Sequence, residues 1–128
     1  NGLNKREWIH VNDFCDAIEL IFRKGKINNI YNVGSEQRLT NLFLIKKIHS
    51  IFANRFKIKV SKNFIKYVKD RSGHDHAYKI NSKKIRKNLN WSSKISLNSG
   101  LENTIGWFIR NEKWLRYTKK KYTGERLG

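Results

Sequence analysis

The first apolar pattern of the chain predicts a helix near its beginning. Apolar residues recur there at helical spacing between a cap at Asn12 or Asp13 and a stop at Gly25. The apolar positions of this helix are Phe14, Ile18, Ile21 and Phe22. Cys15 lies within the same pattern and has no activating neighbour, so we expect it to be a buried structural thiol.

Further helices are predicted along the rest of the chain. Thr40 caps the second and Ser96 caps a later, longer one, while a short helix begins at Asn81 or Ser82 and ends at Asn90. A last helix is predicted over 114–122. The apolar stripe of the second helix is Leu42, Ile45, Ile48, His49 and Phe52.

Short extended runs separate these helices. They are predicted over 8–11, 29–33, 64–68 and 78–80, and the run over 29–33 reads as a buried strand. Strands that alternate with helices are typical of the α/β class. We therefore expect an α/β fold of short strands with packed helices, in one domain over 1–118 followed by a basic, loose tail over 119–128.

The composition adds little that contradicts this picture. The chain has 128 residues, contains no Met and opens on Asn1, so we expect a piece of a longer protein. Its apolar stretches are far shorter than the ~20 residues that a membrane span needs. A single cysteine cannot form an internal disulfide, which favours a reducing, cytoplasmic location.

The charge of the chain is strongly positive. The formal net charge is +18, and nine basic residues but no acidic one lie between Arg38 and Lys69. Such a surface attracts polyanions. However, the chain also holds 19 Lys, 15 Asn and 15 Ile, residues that share A/T-rich codons, and no nucleic-acid motif accompanies the charge. We therefore interpret the charge as compositional drift and do not expect a nucleic-acid partner.

Catalytic constellations are missing from the sequence. There is no Gly-x-x-Gly-x-x-Gly loop for a dinucleotide pyrophosphate, and neither Tyr31 nor Tyr78 is followed four residues later by Lys. His74 and His76 offer only two metal ligands, and two seldom hold a metal. We assign no catalytic and no metal-binding residue. What remains is a set of anion-binding candidates at the ends of elements: Arg6, Asn32, Arg71 and His74.

Three segments resemble those of dTDP-glucose 4,6-dehydratases, members of the extended short-chain dehydrogenase/reductase family. Residues 6–13 resemble the Arg-Asp-Trp-Leu-Tyr-Val-x-Asp segment of these enzymes, and residues 31–34 resemble Tyr-Asn-Ile-Gly. Residues 70–78 are similar to Asp-Arg-Pro-Gly-His-Asp-x-x-Tyr, which is the most specific of the three. Weaker similarities at 89–91 and 100–108 follow in the same order.

The resemblance implies the C-terminal, substrate-binding part of such an enzyme, with the NAD-binding Rossmann core largely absent. By resemblance, Arg6 holds the pyrophosphate, Asn32 and Arg71 contact the ribose and phosphates, His74 lies beside the pyrophosphate, and Tyr78 supports the loop or the nucleotide. NAD and the catalytic Tyr/Lys pair would belong to a missing N-terminal portion, so this chain alone is expected to be inactive. The implied partners are dTDP-glucose, that N-terminal portion and, in the full-length enzyme, a second copy in a homodimer.

The sequence also departs from the family pattern. Ser72 replaces the usual Pro of the loop, and His76 with Ala77 replaces a frequently basic pair. These departures bear on the strength of phosphate binding and leave the family resemblance intact. Two alternatives to a dTDP-glucose dehydratase stay open. The chain could be part of another nucleotide-sugar epimerase or decarboxylase, or a basic remnant that binds anions without catalysis.

Overall fold

The computed structural model describes residues 1–61, 63–70 and 72–119. It contains a two-stranded antiparallel sheet and five helices, which fits the predicted α/β class. The elements are β1 (Lys5–Glu7), α1 (Val11–Lys24), β2 (Arg38–Thr40), α2 (Asn41–Asn54), α3 (Lys83–Leu89), α4 (Leu97–Arg110) and α5 (Glu112–Lys119).

The strand β1 is held along both of its edges. On one edge it pairs with β2, with Arg6 opposite Leu39. On the other edge, Lys5 forms an isolated parallel bridge with Ala77. A three-residue strand is too short to be stable alone, so these contacts on both sides fix its backbone.

The core forms where α1, α3 and the segment after α3 meet. Ala17, Ile85 and Trp91 are buried together there. The buried side of α1 is thus the one that carries Asp13 and Ala17. Of the four predicted apolar positions, Ile21 packs against this core, whereas Phe14, Ile18 and Phe22 are exposed. Cys15 is exposed as well, so the prediction of a buried thiol was wrong.

The helix caps were mostly predicted correctly. The hydroxyls of Thr40 and Ser96 accept backbone N–H bonds at the starts of α2 and α4, and Gly25 follows the end of α1. Asn90 ends α3 with φ of 52°, a left-handed conformation that asparagine tolerates. The prediction for the start of α1 was wrong, because His10 is the cap and its Nδ1 accepts from the Asn12 N–H.

None of the four predicted extended runs is a strand in the described part of the chain, because the two strands lie over 5–7 and 38–40 and α1 already begins at Val11. The segment 29–33 has no regular structure, and Ile30 is 82% exposed rather than buried. The segment 64–68 is irregular too, and the Phe64 ring stacks on His49 with centroids 4.8 Å apart. A strand requires a neighbour that supplies its backbone hydrogen bonds, and local propensity alone does not provide one.

An exposed ion pair joins α3 to the segment before β2. Arg86 Nη1 donates to Glu36 Oε2 at 3.2 Å, and Nη2 binds the second carboxylate oxygen. These hydrogen bonds lower the pKa of Glu36 and raise the pKa of Arg86. Solvent screens such a pair, so its contribution to stability is small.

The predicted tail begins at the end of α5. Lys119 is the last residue of that helix, so the helix extends one residue past the proposed boundary. Residues 120–128, which include the end of the predicted last helix, lie outside the described residues. None of the helices in the described ranges is long and apolar enough to cross a membrane.

Candidate functional site

The loop over 70–78 is fastened to β1 by the backbone. The Lys5 N–H donates to the His76 carbonyl at 2.8 Å, and the Tyr78 N–H donates to the Lys5 carbonyl at 3.4 Å. Gly73 has φ of +70°, a left-handed conformation that favours glycine, and lets the loop turn back. Side chains of the loop and of β1 therefore converge, although about 70 residues separate them in sequence.

Arg6 lies at the centre of this convergence. Its Nη2 contacts His74 Nε2 at 2.6 Å and donates to the Asp75 carbonyl at 3.0 Å. Its Nη1 donates to the Lys5 carbonyl at 2.7 Å. The guanidinium carbon lies 4.4 Å from the centre of the Tyr78 ring, within the range of a cation–π contact. The structure thus brings three of the predicted site residues, Arg6, His74 and Tyr78, into one cluster.

The charge of Arg6 is not neutralised within this cluster. Its acceptors are two carbonyl oxygens and an imidazole nitrogen, and no carboxylate of the described residues forms an ion pair with it. A guanidinium has five N–H donors, and these contacts occupy three of them. Arg6 is consequently a fixed cation that retains donors for an anion.

Both ring nitrogens of His74 have partners. Nε2 faces Arg6, which can only donate, so Nε2 accepts. The proton must then be on Nδ1, which lies 2.6 Å from Asp70 Oδ1. This assignment of the tautomer follows from the hydrogen-bonding partners. In this arrangement His74 orients Arg6, and neither of its ring nitrogens presents an N–H to a ligand.

Two neighbours of the cluster were missed by sequence reasoning. Asn4 Nδ2 lies 3.5 Å from Asp70 Oδ2 and 3.5 Å from the Asp75 carbonyl, which is the long end of hydrogen bonding. It also lies 3.5 Å from His74 Nδ1, to which it cannot donate while that nitrogen carries the proton. Asp70 is in the recognised motif, and its spacing of four residues from His74 is the signal that could have suggested the contact.

Glu7 forms hydrogen bonds on the opposite side of β1. Its Oε1 accepts from the Glu36 N–H at 2.9 Å, and its Oε2 accepts from the Ile80 N–H at 3.2 Å. Consecutive residues of a strand point to opposite sides, so Arg6 and Glu7 tie β1 to different segments. Gly34 packs so closely here that an added Cβ would overlap Ile80 at 2.9 Å.

The other two predicted residues do not join the described cluster. Asn32 is exposed on the irregular segment between α1 and β2, and no hydrogen bond of the described residues joins it to Arg6 or His74. Arg71 lies outside the described residues. The roles assigned to both by resemblance therefore remain predictions.

The cluster is partly exposed, since Arg6 and His74 are half-buried and Tyr78 is exposed. A cavity of about 490 Å³ lies instead between the start of α1 and α4, where His10, Trp107 and Arg110 contribute to its lining and Arg6 and His74 do not. Ligand sites usually bury most of the ligand. The Arg6 cluster can therefore supply only one wall of such a site.

The described residues do not fit the pyrophosphate of NAD or a metal ion. The four helices α1 to α4 begin after His10, Thr40, Ser82 and Ser96, and none of these begins in the glycine-rich loop that a dinucleotide requires. Within the described ranges, no three His, Cys, Asp or Glu residues are grouped to hold a metal.

Comparison with known proteins decides the family. The family model described as GDP-mannose 4,6 dehydratase matches residues 1–104. The chain belongs to this dehydratase family. The resemblance of its motifs is thereby confirmed, and the matching relatives place the chain in the C-terminal portion of such enzymes.

Several relatives carry the name dTDP-glucose 4,6-dehydratase. The one from Escherichia coli is 34% identical over 134 residues, which cover 100% of this chain and 37% of the relative. The one from Streptomyces niveus is 34% identical over 113 residues, or 88% of this chain and 32% of the relative. The chain thus spans little more than a third of the length of the curated relatives it matches.

Solved structures agree with these matches. The dTDP-glucose 4,6-dehydratase from Bacillus anthracis, solved in complex with NAD, superposes on this chain with a TM-score of 0.75 at 34% identity. The aligned region covers 89% of this chain and 34% of the Bacillus anthracis chain. DesIV, the dTDP-glucose 4,6-dehydratase from Streptomyces venezuelae, superposes with a TM-score of 0.76 at 32% identity, with the same coverage.

Proposed function

We propose that this chain is the nucleotide-sugar-binding portion of a dTDP-glucose 4,6-dehydratase, which converts dTDP-glucose to dTDP-4-keto-6-deoxyglucose in deoxysugar biosynthesis. The observation that carries the proposal is Arg6, a fixed cation with unused N–H donors on a strand beside the Arg-x-Gly-His-Asp loop. A diphosphate requires donors of this kind, because charge-assisted hydrogen bonds are stronger than neutral ones.

The other site residues take their roles around Arg6. The ring of Tyr78 contacts the Arg6 guanidinium, so Tyr78 supports Arg6 in addition to the loop or the nucleotide that the resemblance implies. His74 lies beside the pyrophosphate and orients Arg6. Asn32 and Arg71 complete the site by contacts with the ribose and phosphates, as the family resemblance implies.

A missing N-terminal portion would supply the rest of the enzyme. It would bind NAD and carry the catalytic Tyr/Lys pair, and the nucleotide-sugar would lie between it and this chain. Exposed apolar residues support this proposal. Phe22 and Ile27 are each 89% exposed. Ile30 is also exposed, and it lies in the segment over 29–33 that the sequence predicts to be a strand. Apolar surface of this kind marks an interface. The complete enzyme would be a cytoplasmic homodimer.

The first test distinguishes binding in a specific diphosphate site from the general attraction of anions to a chain with a net charge of +18. We expect dTDP to bind more tightly than inorganic pyrophosphate, and its affinity to fall by less than roughly tenfold between about 0.1 M and about 0.5 M salt. Isothermal titration of both ligands at each salt concentration measures this. Equal affinities that fall together with salt would support the anion-binding remnant instead.

The same titration distinguishes the nucleotide base. The description of the matching family model names GDP-mannose, whereas the names of the similar relatives contain dTDP-glucose. We expect dTDP to bind in preference to GDP and UDP. A preference for GDP or UDP would assign the chain to a different nucleotide-sugar enzyme of the same family.

A second test concerns catalysis. We expect the purified chain to show no turnover of dTDP-glucose with added NAD, because the described helices offer no dinucleotide site. Co-expression with the NAD-binding portion of a relative is the matched positive control. Formation of the 4-keto sugar, followed by its absorbance in alkali, measures turnover. Activity of the pure chain alone would contradict the proposal that a separate N-terminal portion binds NAD and carries the catalytic Tyr/Lys pair.

A further inference from the structure

Three side chains of the candidate site form a continuous hydrogen-bonded series. Asp70 Oδ1 lies 2.6 Å from His74 Nδ1, and His74 Nε2 lies 2.6 Å from Arg6 Nη2. Arg6 can only donate, so the imidazole must accept at Nε2 and carry its proton at Nδ1. A carboxylate beside Nδ1 favours this tautomer, because it accepts that proton's hydrogen bond.

We propose that Asp70 is a positioning residue for ligand binding, which acts through His74 on Arg6. It keeps His74 in the Nδ1-protonated tautomer, and the unprotonated Nε2 then fixes one edge of the Arg6 guanidinium. The remaining donors of Arg6 are left for the anion. This inference rests on the proposed function, since it assigns how the proposed diphosphate site is arranged.

The exposure of the two side chains indicates that the contact between Asp70 and His74 orients His74 more than it stabilises the fold. The Asp70 side chain is 55% exposed and that of His74 is 22% exposed, so the attraction between them is screened and stabilises the fold little. Which nitrogen carries the proton is nonetheless decisive for Arg6. If the proton were on Nε2, two N–H donors would face each other across 2.6 Å, and the contact with Arg6 would be lost.

The geometry of the loop makes this series possible. Gly73, at φ of +70°, turns the chain back between Asp70 and His74, which are four residues apart. The backbone bonds from Lys5 to His76 and from Tyr78 to Lys5 then hold the returning segment against β1. Asn4 lies 3.5 Å from Asp70 Oδ2 and can help to hold the carboxylate in place.

The test compares Asp70→Asn with Asp75→Asn. Both substitutions remove one carboxylate from the same loop, but it is the backbone carbonyl of Asp75 that contacts Arg6, and this remains in the variant. Long-range proton–nitrogen correlation spectra at about pH 8 report the tautomer of His74 without any ligand. Titration with dTDP reports binding. Asp70→Glu, which keeps a carboxylate, serves as the conservative variant.

We expect Asp70→Asn to reduce the Nδ1-protonated fraction of His74 and to weaken dTDP binding roughly tenfold. Asp75→Asn should leave the tautomer unchanged and the affinity within about twofold, and Asp70→Glu should keep the Nδ1-protonated tautomer. The proposal is overturned if Asp70→Asn changes neither property, if it changes the tautomer but not the affinity, or if Asp75→Asn has the same effects. Failure of the unsubstituted chain to bind dTDP would instead overturn the proposed function, whereas the tautomer would still be measurable.

Discussion

Replacing Arg6 with alanine is expected to weaken dTDP binding by one to two orders of magnitude, or about 1.5–3 kcal/mol, the range for hydrogen bonds to a charged group. The physical reason is that Arg6 is a cation without a carboxylate partner among the described residues, held in place by three neutral acceptors and the Tyr78 ring. Isothermal titration of the purified variant measures the change.

The matched control is Arg38→Ala. Arg38 is an exposed residue of β2, the strand that pairs with β1, so this variant loses the same charge from the same small sheet. If general attraction to a basic surface dominated, both substitutions would weaken binding equally. We expect Arg38→Ala to change the affinity by less than about threefold. Equal losses in the two variants would exclude Arg6 as a specific ligand of the diphosphate.

A third variant, Arg6→Lys, separates charge from shape. Lysine keeps the charge but cannot reproduce the planar fork that contacts His74, Asp75 and Lys5 together. We therefore expect its affinity to lie between those of the unsubstituted chain and Arg6→Ala. A lysine variant that binds as tightly as the unsubstituted chain would show that the hydrogen-bonded arrangement of the guanidinium is not needed.

Much of the helical structure could be predicted because its signals are local. Thr40 and Ser96 cap α2 and α4 through hydroxyl contacts within three residues, and Asn90 ends α3 in a conformation that few residues adopt. These interactions depend on the nearest neighbours in sequence. They are therefore readable without knowledge of the fold.

The buried side of α1 could not be predicted in this way. The apolar pattern favours the side of Phe14 and Ile18, yet the helix buries Asp13 and Ala17. Asp13 is buried because its carboxylate accepts from the backbone of Lys94 and Ile95, about 80 residues away. A partner at that distance leaves no periodic signal, and Phe14, Ile18 and Phe22 remain exposed.

For the candidate site, the sequence could indicate some of the clustered residues but not their contacts. The motifs name Arg6, His74 and Tyr78, but they do not show that Arg6 contacts His74 instead of standing beside it as an independent donor. That contact depends on the bridge from Lys5 to Ala77, which joins β1 to the loop. The strand predicted over 29–33 does not form, because the described residues include no strand that pairs with it.

Replacing Asp13 with alanine is expected to lower the free energy of unfolding of the chain by about 2–4 kcal/mol. The Asp13 side chain is 2% exposed, and its two oxygens accept from the Lys94 N–H at 3.1 Å and the Ile95 N–H at 3.0 Å. Alanine would leave two partly buried N–H groups without acceptors, at roughly 1–3 kcal/mol each. It would also detach α1 from the segment that leads into α4.

Urea unfolding followed by tryptophan fluorescence measures this change, since Trp91 lies in the core beside α1. The matched control is Asp16→Ala, which removes the same charge from an exposed position of the same helix and should change stability by less than about 0.5 kcal/mol. Asp13→Asn should be intermediate, because its single amide oxygen can satisfy only part of the pair. If Asp13→Ala and Asp16→Ala were equally stable, the buried carboxylate would not be what joins α1 to the start of α4.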